Sequence, residues 1–160
     1  MAFNNTVLQD NPDLGAGEVI KASPYNVSAF EIFEDGLVEG RFCKFDNDSI
    51  DNLDASADPV IAGIVKRKIT GEIGTGIYST SGQEIDQVAE VINFGFATVT
   101  VTDTAGPSKY DDVNVINDGT ADDGKATEAA VVAGIISAGD VVFWEQKAAG
   151  VWLVRINKYL

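Results

Sequence analysis

The chain has no histidine, a single cysteine, and only 11 lysines and arginines against 25 aspartates and glutamates. Without histidine, no side chain ordinarily changes charge near neutral pH. Ser-His-Asp and Cys-His catalysis are excluded. So is a zinc site that uses histidine, and one thiol cannot build a four-cysteine site. Cys43 can form no internal disulfide and is expected to be a small buried hydrophobe. The net charge of −14 argues against nucleic acid, whose phosphates are met by Lys and Arg. It argues equally against an anionic membrane surface. No run approaches the about 18 apolar residues of a membrane-spanning helix. Met1 to Thr6 carries neither a basic nor an apolar region, so no secretory signal is expected.

What is present is a chain of 160 residues, 45% of them hydrophobic. That is enough for one domain with a sizeable core. Residues 1–13 are polar and break at Asn11-Pro12, and their large apolar side chains are Phe3, Val7 and Leu8. This stretch reads either as a loose terminus or as an extended arm that orders on a partner through those three residues. From residue 14 to 160 the texture is that of a single β-rich domain, with short apolar runs between turn residues.

The strongest strand signal is Val88 to Thr102. Thr98, Thr100 and Thr102 share one face, while Phe96, Ala97, Val99 and Val101 surround the other. Gly95, between Phe94 and Phe96, predicts a bulge or sharp bend. Leu37 to Phe45 reads as a strand with a bulge at Gly40. Asp46 to Asp58 reads as a polar loop, and Pro59 opens a strand over Val60–Lys68. Gly71 to Gly82 reads as a long loop or protruding hairpin. Within Ala129–Ile136, Val131–Ile136 echoes Pro59–Ile64 and reads as a similar core strand. Val141–Glu145 and Val151–Ile156 form a hairpin in which Trp144 and Trp152 are expected to pack. Thr127–Val132 and Ile85–Ile92 offer a turn or two of helix at most. The expected fold is all-β, a small barrel or sandwich of about eight to ten short strands with an extended N-terminal arm and little helix.

Candidate chemistry is sparse. In an EF-hand reading, Asp46 and Asp48 fit the first ligand positions, but Ile50, Asp51 and Ala57 occupy places that need an acid, a glycine and a glutamate. A solvated acidic loop is the better reading, with calcium of another coordination type left open. Asp118–Gly124 is read the same way. Gly71–Gly76 lacks the lysine-serine ending of a phosphate loop. The many acids single out no raised-pKa pair for glycosidase work. Lys66-Arg67-Lys68 is the basic cluster, either a solvated strand end or a contact for an acidic neighbour.

The order of these features resembles a known family. The polar arm precedes a Gly-containing strand from Gly15 to Ala22. Then come Asp35-Gly36-Leu37-Val38-Glu39-Gly40-Arg41-Phe42-Cys43-Lys44-Phe45-Asp46, Pro59-Val60-Ile61-Ala62-Gly63-Ile64-Val65 and Gly95-Phe96-Ala97-Thr98-Val99-Thr100-Val101. The sequence is similar, over most of its length, to capsid decoration or structural cement proteins of tailed phages. The resemblance implies a β-rich cap made in the host cytoplasm and carried on the capsid exterior of the virion. It implies the major capsid protein and other copies of itself as partners, a trimer favoured over a dimer, with no cofactor, no nucleic acid, no membrane and no catalysis. The expected contacts are Phe3, Val7 and Leu8 of the arm and Lys66, Arg67 and Lys68. The alternative reading is a tail- or fibre-associated β module that binds a host glycan through Tyr78, Tyr110 or the tryptophans.

Overall fold

In the computed structural model, residues 15–20, 24–33, 36–67, 88–102 and 106–157 are described. They form nine strands: β1 (Asn26–Glu31), β2 (Phe42–Asp46), β3 (Ser49–Asn52), β4 (Ile61–Val65), β5 (Val88–Thr100), β6 (Asp112–Ile116), β7 (Ala126–Thr127), β8 (Ile135–Ala148) and β9 (Val151–Ile156). The described residues include no helix. The expected all-β class is therefore the observed one.

The strands join in one curled antiparallel sheet, in the order β3-β2-β4-β5-β9-β8-β6-β7, with β1 also on β5. β5 is long enough to serve two halves. Its first part pairs with β1 and β4, and Gly95 to Thr100 pairs with β9. Each half curls until its ends approach. A parallel bridge joins Ile32 to Ile50 in β3, and another joins Val101 to Ala126 in β7.

Two cores result. One holds Ile32, Leu37, Cys43, Ile50, Ala62, Val65, Ala89 and Val91. The other holds Phe42, Ile64, Ile92, Ala97, Val99, Val115, Phe143, Trp152 and Val154, among others. Neighbouring residues of β2, β4 and β5 point into opposite cores, so these strands form the wall between them. This is why β4 (Ile61–Val65) is continuously apolar, although Val60 just before it is exposed: a strand buried on both faces has no solvent side to alternate toward. Each fully buried large aliphatic side chain contributes about 1.5–3 kcal/mol.

Several local expectations are corrected. Leu37–Phe45 is not one strand, because Gly40 has φ 74° and β2 starts only at Phe42. Gly40 donates its N–H to the Val65 carbonyl, and its own carbonyl accepts from Thr100. This ties the turn to both β4 and β5. Asp46–Asp58 is not all loop, since Ser49–Asn52 returns along β2 as β3. The turn between them uses Asn47 at φ 54°, a conformation Asn tolerates. Ala129–Ile136 does not repeat β4: Val131 and Val132 are exposed, and β8 begins at Ile135 after Gly134 turns the chain. The expected bend in β5 is present. Asn26 pairs with Phe94 and Val27 with Ile92, which leaves Asn93 as the extra residue of a bulge, with Gly95 beside it at φ 102°. The Gly71–Gly82 segment and the arm lie outside the described residues.

Candidate docking surface

The bulge and bend in β5 change which side chains face outward. Beyond them Ala97, Val99 and Val101 enter the core, but Phe96, expected to join them, faces the other way and packs on Trp144, because consecutive strand residues alternate. On that face Thr98 is covered. Its hydroxyl donates to the Gly15 carbonyl (2.6 Å) and accepts from the Glu18 N–H (2.9 Å). Phe96 is left beside the β8–β9 hairpin.

A second bulge lies directly across. Phe143 pairs with Val154 and Glu145 with Leu153, so Trp144 is the extra residue. Phe143 is fully buried, and Trp144, next along the strand, takes the opposite, outer face. Phe96 meets Trp144 edge-on at 5.1 Å and 77°, and Tyr110 meets it at 5.5 Å and 89°. Tyr110 is 62% exposed and sits at φ 76°, a left-handed conformation that costs about 1–3 kcal/mol for such a residue. Its N–H is held by the Phe143 carbonyl at 2.8 Å. Pro24 and Tyr25 cross over Gly95, where half-exposed Tyr25 and Phe94 extend the aromatic strip.

Two cations stand over these rings. Lys109 Nζ lies 4.0 Å from the Trp144 ring centre and 5.1 Å from that of Tyr110. The Arg155 guanidinium lies 5.8 Å from the Trp144 centre. Such contacts are worth about 0.5–2 kcal/mol each. Arg155 Nε is buried with no hydrogen-bond partner. The other described basic side chains are engaged. Lys44, Lys66, Arg67, Lys125 and Lys147 pair with carboxylates of the chain, and Arg41 donates to the Ala121 and Asp123 carbonyls. Among the described residues, Arg41, Lys109 and Arg155 have no carboxylate in ion-pair range; Arg41 is met by carbonyls, and the other two stack on Trp144.

The comparisons with known proteins bear on this surface. The family model of the XM1 gp53 minor capsid protein matches residues 3–158. The chain belongs to the XM1 gp53 minor capsid protein family. A chain in the solved structure "The capsid of Myoviridae Phage XM1" is 71% identical, with a TM-score of 0.85 and full coverage of both chains. No curated protein matches. The gp53 family is a structural, tailed-phage capsid-associated family.

The residues singled out from the sequence are placed as follows. Lys66 pairs with Glu90. Arg67 reaches Glu18 at 3.2 Å and Glu39 at 3.9 Å, and its N–H bonds the Gly17 carbonyl. This pair fastens the segment before β1 to the wall strands. Phe3, Val7, Leu8, Lys68 and Tyr78 lie outside the described residues. The acidic loops are organised by the chain itself. Lys44 binds Asp54 at 2.6 Å and Asp51 at 3.9 Å, and the hydrogen bond from Lys44 holds the Asp54 carboxyl below its ordinary value. Asp123 accepts from the N–H groups of Asp118 and Gly119. Burial raises its pKa, and the Asp118 charge adds to that. No group of three or more metal-ligating side chains is assembled among the described residues. Burial pushes the Cys43 thiol up to about 12, which keeps it in the protonated form.

Sequence reasoning placed both tryptophans in the hairpin. Both are there: Trp152 packs on Phe143 at 5.7 Å in the core, and Trp144 packs on the other face against Phe96 and Tyr110. The signal was the adjacent pair Phe143-Trp144, since consecutive strand residues face opposite ways. Lys109, Phe96 and Arg155 are far apart in the sequence and carried no local signal.

Proposed function

We propose that this gp53-family chain is a capsid decoration protein that sits on the outside of a phage head where major capsid subunits meet, and that it stabilises the shell. The observation that carries the reading is full-length, 71% identity to a chain of the XM1 capsid. The net charge of −14 supports the outer side, because packaged DNA repels an acidic protein. In this reading residues 14–160 are one cap domain, and residues 1–13 reach a neighbour through Phe3, Val7 and Leu8. Copies associate as a trimer in preference to a dimer, so weak contacts combine into high avidity. The protein turns over no substrate and needs no cofactor.

The test is a head-stability measurement. Heads made without the protein are heated or osmotically shocked beside complete heads, and purified protein is added back. Earlier rupture of bare heads, reversed by add-back, is the expected result. Equal resistance with and without the protein would defeat the proposal.

A further inference from the structure

The Trp144 patch differs from the rest of this acidic surface. Two backbone departures, the bulge at Trp144 and the left-handed Tyr110, lie where two large aromatics meet on the outer face. Local departures that expose apolar groups recur at binding surfaces. Lys109 and Arg155 then lie on those rings without a carboxylate from the described chain, although the protein carries 25 acids. A planar guanidinium backed by an aromatic face is suited to receive a carboxylate. An open sugar-binding platform would need a free ring face, but Lys109 covers that of Trp144 at 4.0 Å.

We propose that this patch is the docking face for an acidic peptide segment of a neighbouring capsid subunit. A carboxylate of that segment enters between Lys109 and Arg155, and an apolar side chain beside it lies on Tyr110 and Phe96. This rests on the decoration reading and adds to it the surface and the partner's chemistry. Burial of the patch would remove a pair of cations from water and supply the counter-charge they lack, which is the condition for a fixed register.

The experiment uses the full chain, fluorescently labelled, titrated onto heads that lack it. Three variants are compared with wild type: Lys109→Glu with Arg155→Glu, Lys109→Glu alone at its exposed position, and Trp144→Ala, which changes no charge. Lys125→Glu, whose lysine pairs with Asp122 on another loop, controls for added negative charge. Melting curves confirm that each variant folds. The proposal expects the double reversal and Trp144→Ala to bind at least about tenfold more weakly, Lys109→Glu to bind more weakly too, and Lys125→Glu to bind as wild type. Added salt should weaken wild type more than the double reversal. Patch variants that decorate heads as well as wild type would overturn the docking face and leave the decoration reading standing. So would variants that decorate normally but lose recognition of a glycan array that wild type binds. If wild type itself binds no heads, the decoration reading and the docking face fall together.

Discussion

Gly40→Ala separates two costs that a glycine can hide. Gly40 sits at φ 74°, so any side chain there carries left-handed strain of about 1–2 kcal/mol. Space is the second cost. An added Cβ would collide with the Ala16 Cβ and lie 2.8 Å from both the Ala16 carbonyl carbon and the Gly17 nitrogen. Relief requires the Gly15–Ile20 segment to move away from the wall strands. That strains the bonds from Gly40 N–H to the Val65 carbonyl and from Thr100 N–H to the Gly40 carbonyl, both 2.9 Å, worth about 0.5–1.5 kcal/mol each. The total is about 2–5 kcal/mol. Gly36→Ala is the control. It has φ 98°, but the nearest atom to its added Cβ is Asn52 Nδ2 at 3.8 Å, so it pays strain alone, about 1–2 kcal/mol. Urea unfolding followed by tryptophan fluorescence measures both. The expected outcome is an unchanged slope and a clearly lower midpoint for Gly40→Ala than for Gly36→Ala. Equal losses would refute the claim that close packing of Ala16 and Gly17 on Gly40 locks the segment before β1 in place.

Two further outcomes follow from the same structure. Trp152→Ala removes a core ring packed on Phe143 and should cost about 3–5 kcal/mol, a fall of roughly 6–20 °C in melting temperature for a domain of this size. Trp144→Ala on the outer face loses two cation–π and two ring contacts and should cost less, about 1–3 kcal/mol, and calorimetry that ranked them the other way would contradict the assignment of faces. The Asp54 carboxyl is held low, first by its hydrogen bond from Lys44. Its contribution is therefore complete above the unfolded carboxylate value of about 4 and is lost as pH falls through the lower folded value. Asp54 is largely exposed, so Asp54→Asn should reduce stability at pH 6 by about 1 kcal/mol or less, and the gap to wild type should close toward pH 2. Melting curves with a gap independent of pH would contradict this.

Much of this protein was legible in its residues. The absent histidine and single cysteine removed most catalytic chemistry, and those exclusions need no fold. The alternation of Thr98 to Thr102 and the β-branched runs marked strands, because a pleated strand presents alternate residues to alternate faces. Gly95 marked the bend, because few other residues adopt its φ. The order of the glycine-bearing strands pointed to the capsid family. Other features depended on which faces the fold covers. Ile61–Val65 has no alternation to read, because β4 divides two cores. The threonine face is not simply solvated, because Gly15–Glu18 crosses Thr98. Lys66-Arg67 looked available, but long-range contacts bring Glu18, Glu39 and Glu90 to them. The aromatic and cationic patch joins residues 96, 109, 110, 144 and 155 across β5, the segment before β6 and the β8–β9 hairpin. A bulge is a matter of register between strands, and register is set by how both strands fit the core. Sequence thus determined the kind of protein and most of its strands, while the tertiary structure decided which surface it has left to offer a partner.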